Sequence, residues 1–335
     1  MRKQFTKKFV ELISIENLLE SWREFLPGKR KREDVGRYSL SLMDNIVSLH
    51  FGLANKTYSH GSYEAFKICD PKPRDIHKAS VADRLLHRAL YRHPYPFFDN
   101  IFIADSFSCR LGKGLHQAIN RFRAFFCRVS SNNTKTCWAL KCDIKKFFAS
   151  VDHDKLKNIP RSYILDKDIM DLLDNIISSF CCARPGVGLP LGNLTSQLFV
   201  NIYLNELDQF IKHKIKAKYY LRYCDDFIIL SGDKKWLESL IPIISGFLAT
   251  QLKLQLHPNK VSIGTVASGV DFLGWVNFFN HRVPRTPTKR RMIKRIQKNP
   301  VPETLNSYLG LLKHGNTKKL QKLIIEEYYL NGDDK

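Results

Sequence analysis

The 335-residue sequence predicts an α+β fold, because much of the chain has apolar residues at helical spacing while a few short runs have strand character. The clearest strand signal is YYLRYCDDFIIL at residues 219–230, where β-forming residues flank two adjacent carboxylates, as in a hairpin with acids at its tip. A second run, WALKCDI at residues 138–144, has the composition of a buried strand and contains one acid. The rest of the chain is interpreted around these two acidic strands.

The first part of the chain is predicted to be helical. Residues 5–26 have apolar side chains at near-helical spacing and end at Pro27-Gly28, and a second helix is predicted at about residues 37–55. The basic run Lys29 to Arg32 lies between them. We expect this run to be a solvated loop, and a phosphate contact is the alternative if other basic groups lie beside it.

Two further basic segments precede the first acidic strand. In FKICDPKPRDI a short strand leads to Lys72 and Arg74 beside a proline-rigidified turn, so both could hold a phosphate, with simple surface charge as the alternative. In SCRLGKG, Arg110 and two glycines stand ahead of a predicted helix. Glycines let backbone amides approach an anion at a helix N-terminus, and arginine supplies charge.

The acids in the strand segments predict a metal site. Asp143 is embedded in an apolar strand, where a carboxylate costs free energy unless it is paired or bound to a metal. Asp225 and Asp226 are expected at the hairpin tip, with an ordinary Asp-Asp turn as the alternative. Hard divalent ions such as Mg²⁺ prefer carboxylates together with substrate phosphate oxygens, so the pattern favours two-metal phosphoryl transfer.

Local patterns predict the segments on either side of the hairpin. Residues 181–216 contain a Gly- and Pro-rich loop and then a long amphipathic helix that Thr195 or Ser196 can cap. The run GVDFLGWVNF at 269–278 predicts one strand with a glycine kink. Residues 303–330 predict two short helices.

The charge balance points to a polyanionic partner. The chain has 54 Lys and Arg residues against 32 Asp and Glu, a net charge of +22, which favours nucleic acid first and an anionic membrane surface second. Residues 272–302 contain no acid, and a solvated helix face is the alternative to nucleic-acid binding there. The basic residues of this predicted helix are Arg285, Lys289, Arg290, Arg291, Lys294 and Arg295.

The sequence also argues against several protein classes. No run of about eighteen apolar residues occurs, so no transmembrane helix is predicted. The N-terminal segment is interrupted by Lys7, Lys8 and Glu11 and lacks a small-residue cleavage site, so we expect no signal peptide. The eight cysteines have no zinc-ligand spacing, and we expect reduced thiols in a soluble intracellular protein.

Taken in order along the chain, these stretches resemble the motifs of reverse transcriptases. PKPRDI and DSFSCRLGKG resemble fingers motifs, LKCDIKKFFASVDH the first palm acid, GLPLGNLTSQ the palm loop, YCDD the catalytic hairpin and FLGW the primer grip. The resemblance implies a right-hand polymerase fold with fingers at 1–135, a palm of antiparallel sheet and helices at 136–278, and a helical thumb at 279–335. It also implies RNA-directed DNA synthesis with two Mg²⁺ ions, for which Mn²⁺ could substitute.

Residue by residue, the resemblance makes Asp143, Asp225 and Asp226 the catalytic, metal-binding acids. The backbone carbonyl of Ile144 would complete one metal's shell, and the metals would activate the primer 3′-hydroxyl and stabilise charge at the α-phosphate. Phe148 falls where these enzymes place a ring against the sugar 2′ position, so it would exclude ribonucleotides. Core packing is the alternative role for Phe148.

The resemblance also implies contacts outside the acids. Arg110 matches the fingers arginine over the triphosphate, and Lys72 or Arg74 matches a neighbouring phosphate contact. Leu191 and Gln197 fall in the nucleotide-binding palm loop and the helix after it. The basic thumb helix would follow the template–primer duplex through its phosphates. The primer grip would comprise Phe272, Leu273, Gly274 and Trp275.

Leu191 and Gln197 also narrow the subgroup. Many reverse transcriptases have glutamine after the Leu-Pro of the palm loop and Ser-Pro at the helix start, whereas this chain has Leu191 and Ser196-Gln197. That departure resembles the enzymes of diversity-generating retroelements and some related bacterial enzymes, including phage-defence ones. Leu191 removes a hydrogen bond of about 1 kcal/mol net to the incoming nucleotide. We therefore expect reduced fidelity, at template adenines as the retroelement resemblance implies.

The expected partners are a template RNA, a DNA primer or product, deoxynucleotides, a dedicated noncoding or template RNA, and an accessory protein or second subunit. The expected location is the cytoplasm, for a bacterial or phage-encoded protein. An antiphage defence enzyme that works with a noncoding RNA is the alternative biological role. A catalytically inactive RNA-binding protein of polymerase fold is the alternative class, which the clustered acids disfavour because they would repel a polyanion.

Overall fold

The structure is a computed structural model that describes residues 3–69, 73–182 and 184–332. Within those ranges no helix combines the length and the apolar character needed to cross a bilayer. The helices are α1 (Phe9–Ile13), α2 (Ile15–Phe25), α3 (Glu33–Leu40), α4 (Leu42–Ala54), α5 (Val81–Arg92), α6 (Pro94–Asp99), α7 (Leu115–Val129), α8 (Phe147–Ser150), α9 (His153–Arg161), α10 (Lys167–Ser178), α11 (Leu194–Gln209), α12 (Lys234–Leu252), α13 (Thr286–Lys298), α14 (Pro302–Leu312) and α15 (Lys318–Gly332). The strands are β1 (Glu64–Ile68), β2 (Arg74–Lys78), β3 (Trp138–Asp143), β4 (Tyr220–Tyr223), β5 (Asp226–Ser231), β6 (Ser262–Thr265), β7 (Val270–Phe272), β8 (Trp275–Asn277) and β9 (Arg282–Pro284).

The chain forms two compact units, each built from three stretches of sequence. The first unit comprises Met1–Arg110, Ile144–Lys216 and Ile244–Leu256, and the second comprises Leu111–Asp143, Ala217–Ile243 and His257–Lys335. These units cut across the expected boundaries of fingers at 1–135, palm at 136–278 and thumb at 279–335. That three-part division stays a prediction.

The first unit is mainly helical. Its N-terminal helices pack on α5, and Ser14 separates α1 from α2 because its hydroxyl accepts a hydrogen bond from the Asn17 amide and caps α2. Strands β1 and β2 form an antiparallel hairpin. Helix α11 lies at the centre of the unit, with buried side chains on most of its circumference, and contacts both α5 and α9. The predicted helical N-terminus is thus confirmed, as two helices rather than one.

The second unit contains two antiparallel sheets and a helical C-terminus. The larger sheet has the strand order β4-β5-β3-β6, and helix α7 packs on β4 and β5. The smaller sheet has the order β7-β8-β9, and Phe272 from β7 packs on Phe122 from α7 with ring centroids 5.6 Å apart. The last three helices enclose a separate apolar core of Met292, Ile296, Leu312 and Ile324.

Three local predictions were wrong in detail. Helix α11 begins at Leu194 with Asn193 as its N-cap, so Thr195 and Ser196 are buried inside the helix rather than capping it. The helix predicted at 37–55 is broken at Ser41. The single strand predicted at 269–278 is instead the β7–β8 hairpin, whose turn residues Leu273 and Gly274 both have positive φ, as a tight hairpin requires.

Candidate active site

Neighbouring strands of the larger sheet bring the three predicted acids together. Strand β3 pairs antiparallel with β5, and the register places Asp143, the last residue of β3, opposite Asp226, the first residue of β5. Asp225 precedes Asp226 in the turn that joins β4 to β5. The hairpin with acids at its tip is therefore confirmed, and all three acids belong to the second unit.

A buried arginine supports the turn that carries Asp225. Cys224 has a φ of 56°, in the left-handed region that residues other than glycine seldom adopt. This backbone conformation costs free energy, so contacts with surrounding residues must stabilise the turn. The side chain of Arg222 is fully buried, and its Nη1 donates a hydrogen bond of 3.0 Å to the carbonyl oxygen of Cys224. The sequence did not predict this role, because an arginine in a strand can equally face solvent.

The acid cluster resists full ionisation. Burial raises the pKa of Asp226 to about 6, and the charges of Asp143 and Asp225 and a hydrogen bond with the Asp143 carboxyl act in the same direction. Lys141, on β3, opposes this shift. Burial also raises the pKa of Asp225, with a further contribution from the charge of Asp143. Protonation of Asp226 below a pH of about 6 therefore relieves part of the repulsion.

Lys260 supplies a positive charge to the same cluster. Its Nζ lies 3.0 Å from Oδ2 of Asp143. The short turn Pro258–Lys260 positions it, and the backbone amide of His257 donates a hydrogen bond of 2.7 Å to the carbonyl oxygen of Asp143. The sequence analysis did not find Lys260, because no local pattern connects it to an acid 117 positions earlier.

The donor set suits a hard divalent cation. In the described part of the chain, no three His, Cys, Asp or Glu side chains are already arranged to hold a metal ion. The three carboxyls nevertheless offer oxygen donors, the ligands that Mg²⁺ and Mn²⁺ prefer. Burial and the neighbouring negative charges raise the pKa values of Asp225 and Asp226, and a bound cation would compensate this charge. The residues therefore fit the predicted metal, which would compete with Lys260 for the Asp143 carboxylate.

Ile144 and Phe148 belong to the first unit. Ile144 is buried, and its backbone pairs with Leu256 in an isolated antiparallel bridge. Phe148 lies in the short helix α8, where its carbonyl oxygen accepts a hydrogen bond of 2.8 Å from the Leu189 amide. The ring of its neighbour Phe147 is buried in the core, whereas Phe148 is only partly buried. This difference leaves the Phe148 ring available for a role other than packing.

The palm loop of the first unit is attached to strand β2. The amide of His77 donates a hydrogen bond of 2.9 Å to the carbonyl oxygen of Leu191, and the Asn193 side-chain amide donates one of 2.9 Å to the carbonyl oxygen of His77. Gly192 lies so close to Ile76 that a Cβ atom would approach its side chain to 2.9 Å. Gln197 is partly buried in the first turn of α11 and lines a small pocket of the same unit.

The structure gives Arg110 a different role from the predicted triphosphate contact. Its guanidinium is buried and donates to Oδ1 of Asp99 at 2.6 Å, to the Asp99 carbonyl at 3.0 Å, and to the carbonyls of Ile103 and Ser106 at 2.7 and 3.0 Å. These bonds occupy most of its donors inside the first unit. The geometry therefore favours a structural role for Arg110. Of the other predicted phosphate ligands, Arg74 is exposed at the start of β2, and Lys72 lies outside the described residues.

Two residues of the predicted primer grip are buried, and the other two form a partly exposed turn. Phe272 and Trp275 are buried, at 0% and 2% exposure, so their rings stabilise the smaller sheet rather than contacting a ligand. Leu273 and Gly274 form the turn between them and are partly exposed. For Phe272 and Trp275 the predicted contact with a primer is therefore replaced by a structural role.

Helix α13 has the amphipathic form that its sequence predicted. Met292 and Ile296 face the C-terminal apolar core, and Arg290, Lys294 and Arg295 are exposed. Arg285, Lys289 and Arg291 are partly buried, and Arg285 lies 3.5 Å from Oδ2 of Asp271. The polar face of α13 is therefore a basic surface of the second unit.

Comparison with known proteins identifies relatives for most of the chain. Residues 70–276 match the protein family described as reverse transcriptase (RNA-dependent DNA polymerase). Protein YkfC of Escherichia coli K12 is 27% identical over 242 residues, which cover 61% of this chain and 62% of that protein. The group II intron-encoded protein LtrA of Lactococcus lactis subsp. cremoris is 22% identical over 311 residues. The match covers 72% of this chain and 49% of that protein. This chain thus spans less than two thirds of the length of these curated relatives.

A solved structure supports the fold assignment. Telomerase from Candida albicans, solved in complex with a fragment of telomeric RNA, superimposes with a TM-score of 0.52 at 12% sequence identity. The match covers 83% of this chain and 55% of the telomerase chain. At that identity the likeness concerns the fold alone, and it confirms the predicted α+β polymerase fold.

The raised pKa of Asp226 predicts a pH-dependent stability. Between the ordinary aspartate pKa of about 4 and the folded value of about 6, the native state holds a proton that the unfolded chain releases, so stability falls as pH rises through this range. Asp226→Asn cannot ionise. We therefore expect the variant to melt at a higher temperature than the wild type at pH 7.5, with little difference near pH 4, in thermal denaturation followed by circular dichroism.

Two additions make this test specific. Millimolar Mg²⁺ should reduce the difference in melting temperature between Asp226→Asn and the wild type at pH 7.5, because a cation bound to the wild-type acids removes the same repulsion. The control is Asp233→Asn, at an exposed aspartate that caps α12, where asparagine keeps the capping bond to the Trp236 amide. An increase in the melting temperature of Asp226→Asn over the wild type that is equal at pH 4 and pH 7.5 would contradict the proposed charge repulsion.

Proposed function

The chain belongs to the reverse transcriptase family, and on this premise we propose that it catalyses RNA-directed DNA synthesis at Asp143, Asp225 and Asp226. The observation that carries the proposal is the β3–β5 register, which places Asp143 opposite Asp226 at the end of a hairpin. Carboxylates that converge in this way bind divalent cations, and in phosphoryl transfer two such cations flank the reacting phosphate. The family's chemistry and the acid cluster therefore support the same activity.

Each group in the cluster has a distinct task in this proposal. The three carboxylates would bind the cations, which would supply activation of the primer 3′-hydroxyl and stabilisation of charge at the α-phosphate. Arg222 fixes the turn and hence the position of Asp225. Asp226 would have to be ionised to bind a cation, so cation affinity should increase as pH rises through about 6.

An inactive RNA-binding protein of the same fold is the competing class. A basic chain of net charge +22 would bind RNA without any catalysis. Three partly buried carboxyls in such a protein would lower both stability and affinity for a polyanion, because each repels the ligand and its neighbours. Their convergence therefore favours the enzyme.

Primer extension separates these two classes. On an RNA template with a DNA primer and Mg²⁺, we expect extension by the wild type and a loss of at least about 100-fold in rate for Asp225→Asn or Asp226→Asn, because each change removes charge that binds the cations. Asp233→Asn is the matched control and should retain the wild-type rate. Extension that survives both active-site changes would refute the assignment of these acids.

We further propose that Phe148 selects deoxynucleotides. Its partly exposed ring would meet a ribose 2′-hydroxyl but not a deoxyribose. Phe148→Ala should therefore increase incorporation of ribonucleotides relative to deoxynucleotides by about tenfold or more. Phe148→Tyr keeps the ring and should retain the wild-type preference. Single-nucleotide incorporation assays measure the ratio, and an unchanged ratio for Phe148→Ala would leave the ring with a packing role.

The retroelement type is the biological role that we propose, with Leu191 as the cause of low fidelity. The Leu191 carbonyl is already bonded to β2, so its side chain is the part that can act on an incoming nucleotide. Leu191→Gln would restore a hydrogen bond of about 1 kcal/mol and should reduce errors opposite template adenines about fivefold. Sequencing of products from a defined template tests this. Equal error rates opposite template adenines in the wild type and in Leu191→Gln would contradict the proposal.

Partners follow from the same proposal. The basic face of α13 suits the phosphates of a template–primer duplex, and a dedicated noncoding RNA and an accessory protein or second subunit would complete a retroelement. A defence role remains the second candidate, because its chemistry is identical. An adjacent template repeat with a variable target gene would support the retroelement, whereas a noncoding RNA without such a target would support defence.

A further inference from the structure

A buried histidine contacts the start of the palm loop, residues 188–197, and has no role in the chemistry proposed above. His153 is the first residue of α9 and is 4% exposed. Its Nε2 lies 2.7 Å from the carbonyl oxygen of Gly188. A carbonyl only accepts hydrogen bonds, so Nε2 of His153 carries a hydrogen and donates it. Among the described residues, this ring is the donor to the Gly188 carbonyl.

Backbone hydrogen bonds join the start of the palm loop to the segment between α8 and α9. The Gly188 amide donates to the Val151 carbonyl at 2.8 Å, and the Leu189 amide donates to the Phe148 carbonyl at 2.8 Å. All of these groups belong to the first unit. Phe148 and the loop are therefore directly connected, and His153 supplies the side-chain bond of this connection.

Gly188 has no side chain that could anchor the loop by itself. A Cβ atom at this position would lie 2.5 Å from Sγ of Cys182, so a larger residue does not fit. Gly188 and Leu189 are both buried. A buried carbonyl that loses its donor is not compensated by bulk water, so removal of the His153 donor should displace the start of the loop.

The next part of the loop is attached to β2. The His77 amide donates to the Leu191 carbonyl at 2.9 Å. Leu189 and Pro190 alone separate Leu191 from Gly188, and the fixed φ of proline makes this short connection stiff. A displacement at Gly188 is therefore transmitted to Leu191.

We propose that His153 is a positioning residue that sets the spacing between the Phe148 ring and Leu191, and thereby determines deoxynucleotide affinity and the exclusion of ribonucleotides. The inference rests on the proposed function, in which Phe148 meets the sugar and Leu191 acts on the incoming nucleotide. His153 acts through the loop, because its Nε2 hydrogen is already donated to Gly188. Its loss should change nucleotide binding and sugar preference and leave the chemical step largely intact.

Single-nucleotide incorporation by the full chain on an RNA template tests this role. His153→Phe keeps a ring of similar size but has no donor. We expect its KM for a deoxynucleotide to rise about tenfold, its kcat to change less than about threefold, and its preference for deoxynucleotides over ribonucleotides to fall about fivefold. His153→Gln places an amide donor near the position of Nε2 and should restore KM and sugar preference to within about twofold of the wild type.

Asp152→Asn is the matched control. Asp152 caps α9 through the Lys155 amide at 3.0 Å and pairs with Lys253 at 2.6 Å. Asparagine keeps the cap and loses the ion pair, so the variant should lower the melting temperature without changing the contact between His153 and Gly188. Its KM and sugar preference should stay at the wild-type values. Equal changes in Asp152→Asn and His153→Phe, or a His153→Phe enzyme that loses kcat alone, would overturn the proposal.

Hydrogen–deuterium exchange tests the anchoring of the loop without any catalysis. His153→Asn keeps a polar amide, but its shorter side chain cannot place a donor at the Nε2 position, which makes it a second variant if His153→Phe does not fold. The amides of residues 186–191 should exchange at least about fivefold faster in His153→Asn than in the wild type, and at the wild-type rate in His153→Gln and Asp152→Asn. Unchanged exchange in His153→Asn would overturn the proposal.

The outcome is distinguishable from a failure of the polymerase proposal. Absent primer extension by the wild type, together with loop protection that depends on His153, would reject the catalytic proposal and keep His153 as the anchor of the loop. Normal extension by the wild type, with KM, sugar preference and exchange all unchanged in His153→Asn, would reject the role of His153 and keep the polymerase.

Discussion

The convergence of like charges is the constraint on which the candidate active site depends. The β3–β5 register brings Asp143 and Asp226 into direct opposition, and Asp225 adds a third carboxyl next to them. Burial and mutual repulsion raise the pKa values of Asp225 and Asp226, so the cluster costs stability whenever it is fully ionised. A bound divalent cation would remove this cost and could also bind a substrate phosphate. Cation-dependent chemistry is therefore the simplest reason for this arrangement.

The surrounding residues keep the cluster in place and compensate only part of its charge. Arg222 holds the strained turn through the Cys224 carbonyl, and Lys260 pairs with Asp143. Lys260 pairs with one of the three carboxyls, and the raised pKa values of Asp225 and Asp226 reflect burial and the negative charge that remains. A bound cation would compete with Lys260 for Asp143 and with protons for Asp226, which would couple metal affinity to pH.

Local sequence patterns predicted the elements that carry the site but not their environment. The β-forming residues on both sides of Asp225 and Asp226 predicted the hairpin, and the apolar run before Asp143 predicted its partner strand. The role of Arg110 could not be predicted in this way, because the Asp99 carboxylate that accepts its hydrogen bond lies at the end of α6, 11 residues earlier in the sequence. Likewise, a short apolar run does not reveal that Leu273 adopts a positive φ and turns one strand into a hairpin. Lys260 was missed because its partner is far away in the sequence, and Arg222 was missed because an arginine in a strand can equally face solvent.

The most direct test of the central claim is an anomalous difference map from crystals of this protein with Mn²⁺, an RNA–DNA template–primer and a non-hydrolysable deoxynucleotide. The account predicts manganese peaks coordinated by carboxylate oxygens of Asp143, Asp225 and Asp226 at about 2.0–2.2 Å, with Lys260 moved away from Asp143. A map without manganese at these acids, and with the Lys260–Asp143 ion pair intact beside bound nucleic acid, would contradict it.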